Sequence, residues 1–218
     1  VITTSYGSGS PVTLVAHGLG ATPGEARIPA SGLPGTRVVV TLPSHGDAPD
    51  APPGYWDYGR IAADLGTVPA DQAIGVSLGA GALVRLLSLH PGRFRRVALL
   101  LPAVLDQPRP PFTLRQLSDL TTGPPAYVAE RRAALTRLEA AAEQLPGQVA
   151  VADASSLAAV SIPVLVIGAV GDPLHPEDVA KATAAAFPRG DLWLIGSPAP
   201  MITHRAELRR RLAEFLGG

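Results

Sequence analysis

The sequence predicts an α/β protein: a mostly parallel sheet with helices on both faces. Short apolar, β-branched runs alternate with longer stretches whose apolar residues follow a helical three-four spacing, as in sheets buried under helices on each side. A chain of 218 residues with 46% hydrophobic residues can also bury one sizeable core. No internal repeat or low-complexity linker divides the chain. The expected organisation is therefore a single domain over residues 1–218.

The first run is Val12 to Ala16, followed by Val38 to Leu42, Gln72 to Val76, Val97 to Leu101, Val164 to Ile167 and Leu192 to Ile195. Between the third and fourth, Ala82, Leu83, Leu86 and Leu87 recur at helical spacing until His90-Pro91-Gly92 stops the helix, which makes a βαβ unit. From Pro102 to about Ser161 the strand rhythm ceases. Pro124-Pro125 opens a helix with Val128, Leu135, Leu138, Ala142 and Leu145 on one stripe, and a short helix near Ala154 to Val160 leads back to the sheet. Residues of about 102–161 thus read as a helical insertion. At the end of the chain, Leu208, Leu212, Phe215 and Leu216 share a stripe that omits Arg209 and Arg210, as in a terminal helix packed on a sheet.

Composition excludes several function classes. Lys+Arg and Asp+Glu number 18 each, so no excess of positive charge exists to hold a nucleic acid or an anionic membrane. Without cysteine there is no thiol nucleophile, disulfide or thiolate metal site. The apolar runs are far shorter than the roughly 20 residues needed to span a bilayer. A cytoplasmic location is expected, and secretion stays open because the chain begins at Val1 rather than methionine. The Ala, Pro, Gly and Arg bias suits a GC-rich bacterial genome.

The chemistry centres on Gly75-Val76-Ser77-Leu78-Gly79, a G-x-S-x-G motif where a strand gives way to a helix. That turn must be tight enough to lift the serine hydroxyl clear of the backbone, so its flanking positions cannot carry side chains. Gly79 and Gly81 should let the helix approach the neighbouring strands. His17-Gly18-Leu19-Gly20 follows the first strand, where acyl chemistry needs a second N–H to bind an oxyanion with the N–H after the nucleophile. Leu19 and Leu78 are the expected donors, and the His17 ring is expected to be a hydrogen-bonded packing residue.

These segments resemble the α/β-hydrolase superfamily, particularly its small lid-bearing esterases. The resemblance rests on His17-Gly18-Leu19-Gly20, Leu42-Pro43-Ser44-His45-Gly46, the elbow at Ser77, Pro163 to Gly168 with Gly171-Asp172-Pro173-Leu174-His175-Pro176, and His204 near the end. It implies the order nucleophile, acid, base, filled by Ser77, Asp172 and His204. It also implies that the insertion is a lid and that the antiparallel strands opening the fold are reduced to Val1 to Tyr6. Ile202-Thr203 stand before His204, where the family often has glycine.

Other residues compete for these roles. Asp172 before Pro173 is also a turn former, Asp106 lies a few residues beyond the fourth strand, and Asp153 follows no strand. His45 and His175 fall in loops that could line a pocket mouth, whereas His90 closes a helix. The histidines show no metal-binding spacing, and no cofactor is required. The expected activity is hydrolysis of carboxylic esters or thioesters of a small, uncharged molecule through an acyl-enzyme, since no basic cluster faces the expected mouth. The alternatives are a cofactor-free lyase or carbon–carbon hydrolase on the same scaffold, or a non-catalytic ligand-binding protein. The oligomeric state is not encoded in any recognisable pattern.

Overall fold

The computed structural model describes residues 1–121 and 123–217. Thr122, inside the expected insertion, and Gly218, at the end of the expected domain, lie outside them. The strands are β1 (Ile2–Tyr6), β2 (Val12–Ala16), β3 (Thr36–Thr41), β4 (Gln72–Val76), β5 (Arg96–Leu100), β6 (Val164–Ala169) and β7 (Gly190–Ile195). The helices are α1 (Pro23–Arg27), α2 (Tyr58–Gly66), α3 (Leu78–Leu89), α4 (Leu114–Asp119), α5 (Pro125–Leu135), α6 (Glu139–Gln144), α7 (Glu177–Ala186), α8 (Pro200–Thr203) and α9 (Arg205–Gly217).

The strands form one sheet in the order β1-β3-β2-β4-β5-β6-β7, parallel throughout except for β1 against β3. The antiparallel remnant expected at Val1 to Tyr6 is thus one edge strand, Ile-Thr-Thr-Ser-Tyr, with mostly exposed residues. In contrast, β5 and β6 are almost entirely buried, which is why they read as continuous apolar runs. All six expected strands, β2 to β7, are present. β3 starts at Thr36 and β7 at Gly190, each two residues earlier than the apolar run alone indicates.

Register sorts the side chains into two layers. Val39, Val15, Ile74, Ala98 and Leu165 lie side by side across five strands and share one apolar cluster with Leu208, Leu212 and Leu216 of α9. The adjacent row, Val38, Leu14, Ala73, Val97 and Val164, points the other way, into the cluster of α2, α3 and α7. From β2 the chain moves outward to β3 and then returns to β4 on the other side of β2. The crevice at the carboxyl ends of β2 and β4 is therefore the topological switch point, where open α/β sheets bind ligands.

The insertion covers that crevice. The expected single helix after Pro124-Pro125 is instead α5 and α6, broken where the Thr136 hydroxyl donates to the Ala133 carbonyl at 2.7 Å. Leu135, Leu138 and Leu145 from the expected stripe are buried in the main core. Two polar clamps reinforce this seat. Arg137 donates to the carbonyls of Gly46 and Ala48 and to Asp50, while Arg131 and Tyr127 donate to Glu25 of α1. The short helix expected near Ala154 to Val160 is a 3-10 segment, Ala154–Ala159, capped by Asp153. Leu138 is fully buried, so Leu138→Ala should destabilise the protein by about 2–5 kcal/mol through cavity formation. A denaturant midpoint within error of wild type would show that the insertion is not anchored through this residue.

Candidate active site

Ser77 ends β4 and precedes α3 with φ 50°, a left-handed conformation unusual for a residue with a side chain. Its geometry is forced by its neighbours. A Cβ on Gly75 would lie 2.6 Å from the carbonyl oxygen of Gly79, and one on Gly79 would lie 2.3 Å from that of Ala16. Gly79 therefore brings α3 against β2, as expected. Gly81 serves a different contact: a Cβ there would strike the Tyr58 ring of α2 at 2.5 Å. The Ser77 N–H donates to the Leu100 carbonyl at 2.9 Å, and the Gly79 N–H donates to the His17 carbonyl at 3.1 Å. Strands on both sides of β4 are thus tied to the turn.

The His17-Gly18-Leu19-Gly20 turn meets this elbow directly. A Cβ on Gly18 would lie 3.3 Å from the Ser77 Cβ. Among the described residues the Leu19 and Leu78 N–H groups have no protein acceptor, and Leu78 is the first residue of α3, where helix N–H groups lack internal partners. Two buried histidines support the turn from behind. His17 Nε2 accepts from the Leu42 N–H at 3.1 Å and His45 Nε2 accepts from the Gly20 N–H at 2.9 Å. Each Nδ1 accordingly carries the proton and donates to a carbonyl, of Gly18 and Pro43 respectively. Their ring centroids are 4.5 Å apart. Burial lowers the pKa of both, that of His45 to about 3, where the neighbouring His17 also contributes, so both rings are neutral.

The loop after β6 supplies the partners of Ser77. Asp172 Oδ1 accepts from the Leu174 N–H at 2.8 Å, an Asx turn that folds the chain back at Pro173. The same turn carries His175 onto the other carboxylate oxygen, with Nδ1 2.7 Å from Asp172 Oδ2. The opposite nitrogen, Nε2, lies 2.9 Å from Ser77 Oγ. Burial disfavours the Asp172 carboxylate, but the hydrogen bond and charge of His175 with the Leu174 and His175 N–H groups outweigh it and hold the pKa below the usual range. An ionised Asp172 can only accept, so Nδ1 bears the proton and Nε2 is left to accept from the serine hydroxyl.

This arrangement corrects the expected place of the histidine. His204 does not touch Ser77 or Asp172. It lies at the joint between α8 and α9, with Nδ1 2.8 Å from the Thr203 hydroxyl, while Pro200, Met201 and Ile202 of α8 line the cavity. The connection directly after β7 carries Ser197, whose hydroxyl is engaged by Thr203 and the Ala199 N–H. The usable sequence signal was the spacing Asp172-Pro173-Leu174-His175: an Asx turn at i to i+2 returns residue i+3 to the same carboxylate. Of the other candidates, Asp153 caps its 3-10 segment, His90 is exposed at the end of α3, and Asp106 does not line the cavity.

The cavity above Ser77 measures about 420 Å³, within the range of small-molecule sites. Phe112, Leu117 and Tyr127 of the insertion line it, whereas Leu135 and Leu138 are buried in the main core instead. Arg109, Arg131 and Arg205 also line it, so the expectation of a mouth without basic residues is corrected. That cluster escaped the sequence because its members come from three separate segments. Among the described residues, no three histidine or acidic side chains gather as a metal site would require. No helix among them is long and apolar enough to cross a membrane.

No protein-family model matches this sequence, and no curated protein matches it either. Solved structures do. A hydrolase from Oleispira antarctica superposes with a TM-score of 0.81 at 16% identity, over 99% of this chain and 94% of its own. An esterase from Exiguobacterium antarcticum gives 0.80 at 16% identity, over 99% and 95%. An alpha/beta hydrolase from Sphaerobacter thermophilus gives 0.66 at 21% identity, over 99% and 95%. The chain has the α/β-hydrolase fold.

The neutral histidine pair makes the fold sensitive to acid. The pKa of His45 falls from 6.5 when unfolded to about 3 when folded, so between those pH values the unfolded chain takes up a proton that the folded ring refuses. Stability is complete above pH 6.5 and declines below it by up to about 1.4 kcal/mol per pH unit from this residue. His45→Asn should be less stable than wild type at pH 7 and lose less on acidification. Equal slopes for the two proteins between pH 6.5 and 4, measured by urea unfolding, would contradict this account.

Proposed function

We propose that this protein is a serine hydrolase that cleaves carboxylic ester or thioester bonds of small molecules through an acyl-enzyme on Ser77. The reading rests on one observation, the hydrogen-bonded chain from Asp172 through His175 to Ser77 at 2.7 Å and 2.9 Å. Nucleophile activation requires such a chain: a base within reach of the hydroxyl, itself oriented by a third group. The neighbours named as hydrolases and an esterase agree with it at the level of the fold.

In this mechanism Ser77 Oγ attacks the substrate carbonyl while His175 Nε2 takes its proton. Asp172 holds the imidazole in the required tautomer and stabilises the cation that forms. The N–H groups of Leu19 and Leu78 bind the oxyanion, the second with the help of the α3 dipole. Protonated His175 then returns its proton to the leaving alcohol or thiol. In the second half, His175 deprotonates a water that attacks the acyl group and frees Ser77.

A fluorophosphonate probe should label wild type and not Ser77→Ala, and ester turnover in that variant should fall by roughly 10⁴-fold or more. Unchanged labelling or turnover would refute the assignment of the nucleophile. Asp172→Asn should cost less than loss of Ser77, because the carboxylate orients the base without reacting. A larger loss in Asp172→Asn than in Ser77→Ala would argue against this division of roles.

A further inference from the structure

Of the three arginines around the cavity, two have ordinary explanations. Arg131 donates from Nη1 to both carboxylate oxygens of Glu25, at 2.9 Å each, and Arg205 is exposed at the start of α9. Arg109 is different. It follows β5 in the segment Pro108-Arg109-Pro110-Pro111, and its guanidinium stacks on the Phe112 ring with Cζ 4.4 Å from the centroid. Its Nε is buried without a hydrogen-bond partner, and among the described residues the side chain forms no ion pair.

The Arg109 side chain is half-buried, and its buried Nε lacks the usual compensation. Buried cations are normally paired, and an unsatisfied buried donor costs stability. Burial does lower the pKa of Arg109, and the opposing influences are Tyr58 and Asp172. Tyr58 is neutral, since burial raises its pKa to about 12, and Asp172 already has His175 and the Leu174 N–H as partners. Arg109 lines the same cavity as Ser77 and His175.

We propose that Arg109 is a specificity-determining residue that pairs with a carboxylate on the acyl portion of the substrate. The preferred substrate is then a half-ester or half-thioester of a short dicarboxylic acid. Several features set this chemistry. A planar guanidinium matches a carboxylate with parallel hydrogen bonds, and stacking on Phe112 fixes its plane. With Arg131 already paired to Glu25 and Arg205 exposed, Arg109 in a largely apolar cavity suits one negative charge on a short aliphatic spacer. The acyl chemistry rests on the hydrolase reading above; the anion contact does not.

The test compares mono-4-nitrophenyl glutarate with 4-nitrophenyl valerate, a neutral ester of the same chain length. In Arg109→Gln the ratio of kcat/KM for the half-ester to that for valerate should fall about 30-fold or more, as expected for loss of a charge-assisted pair. Arg109→Lys, which keeps the charge without the planar fork, should restore part of that ratio. An unchanged ratio, equal losses on both esters, or a fall in the ratio caused by Arg205→Gln instead would overturn the proposal. Calorimetric binding of glutarate to intact wild type and Arg109→Gln separates the two readings. Glutarate bound by wild type and lost in the variant, with neither ester hydrolysed, would retain the anion site and refute the hydrolase. Failure of wild type to bind glutarate, with valerate hydrolysed, would do the reverse.

Discussion

The close approach of α3 to β2 at Gly79 and Ala16 governs the site. A Cβ on Gly79 would fall 2.3 Å from the Ala16 carbonyl oxygen, so the helix can start here only with glycine. This contact leaves the chain no room for a gentle transition from β4, and Ser77 takes up φ 50° as a consequence. It also sets the Gly18 backbone beside the serine and leaves the Leu78 N–H at the open end of a helix. The proposed nucleophile and the proposed oxyanion donors therefore share one packing constraint.

The surroundings of this contact hold it in place and cover it. His17 and His45, buried and neutral, pin the turn after β2 through hydrogen bonds to Leu42 and Gly20. The insertion roofs the cavity, anchored by Leu138 and Leu145 in the core and by the Arg137 and Glu25 clamps at its edges. A covered site strengthens hydrogen bonds to developing charge. The same cover leaves the Arg109 Nε buried without a partner.

How much the sequence revealed depended on the range of the interaction involved. Strands β2 to β6 are readable because central parallel strands are largely apolar runs, the edge strand β7 because of its Leu-Trp-Leu-Ile end, and Ser77 because its motif is local. His175 is hard to read from the sequence because chain order in the resembled family points to a histidine after the last strand. Its approach to Ser77, 98 residues away, depends on a turn made by Asp172 and Pro173. The break between α5 and α6 was hidden for a related reason: the apolar spacing continues through Thr136, whose hydroxyl bonds back to the helix. Arg109 left no periodic trace, because its significance arises only when the insertion folds over β4.

The central claim is that His175, not His204, serves Ser77. The most direct measurement is the rate of covalent labelling of Ser77 by a fluorophosphonate in His175→Ala and His204→Ala, with each variant confirmed folded by its unfolding transition. Labelling should slow by about 10³-fold or more in His175→Ala and remain within a few-fold of wild type in His204→Ala. Loss of labelling in His204→Ala with retention in His175→Ala would contradict the account.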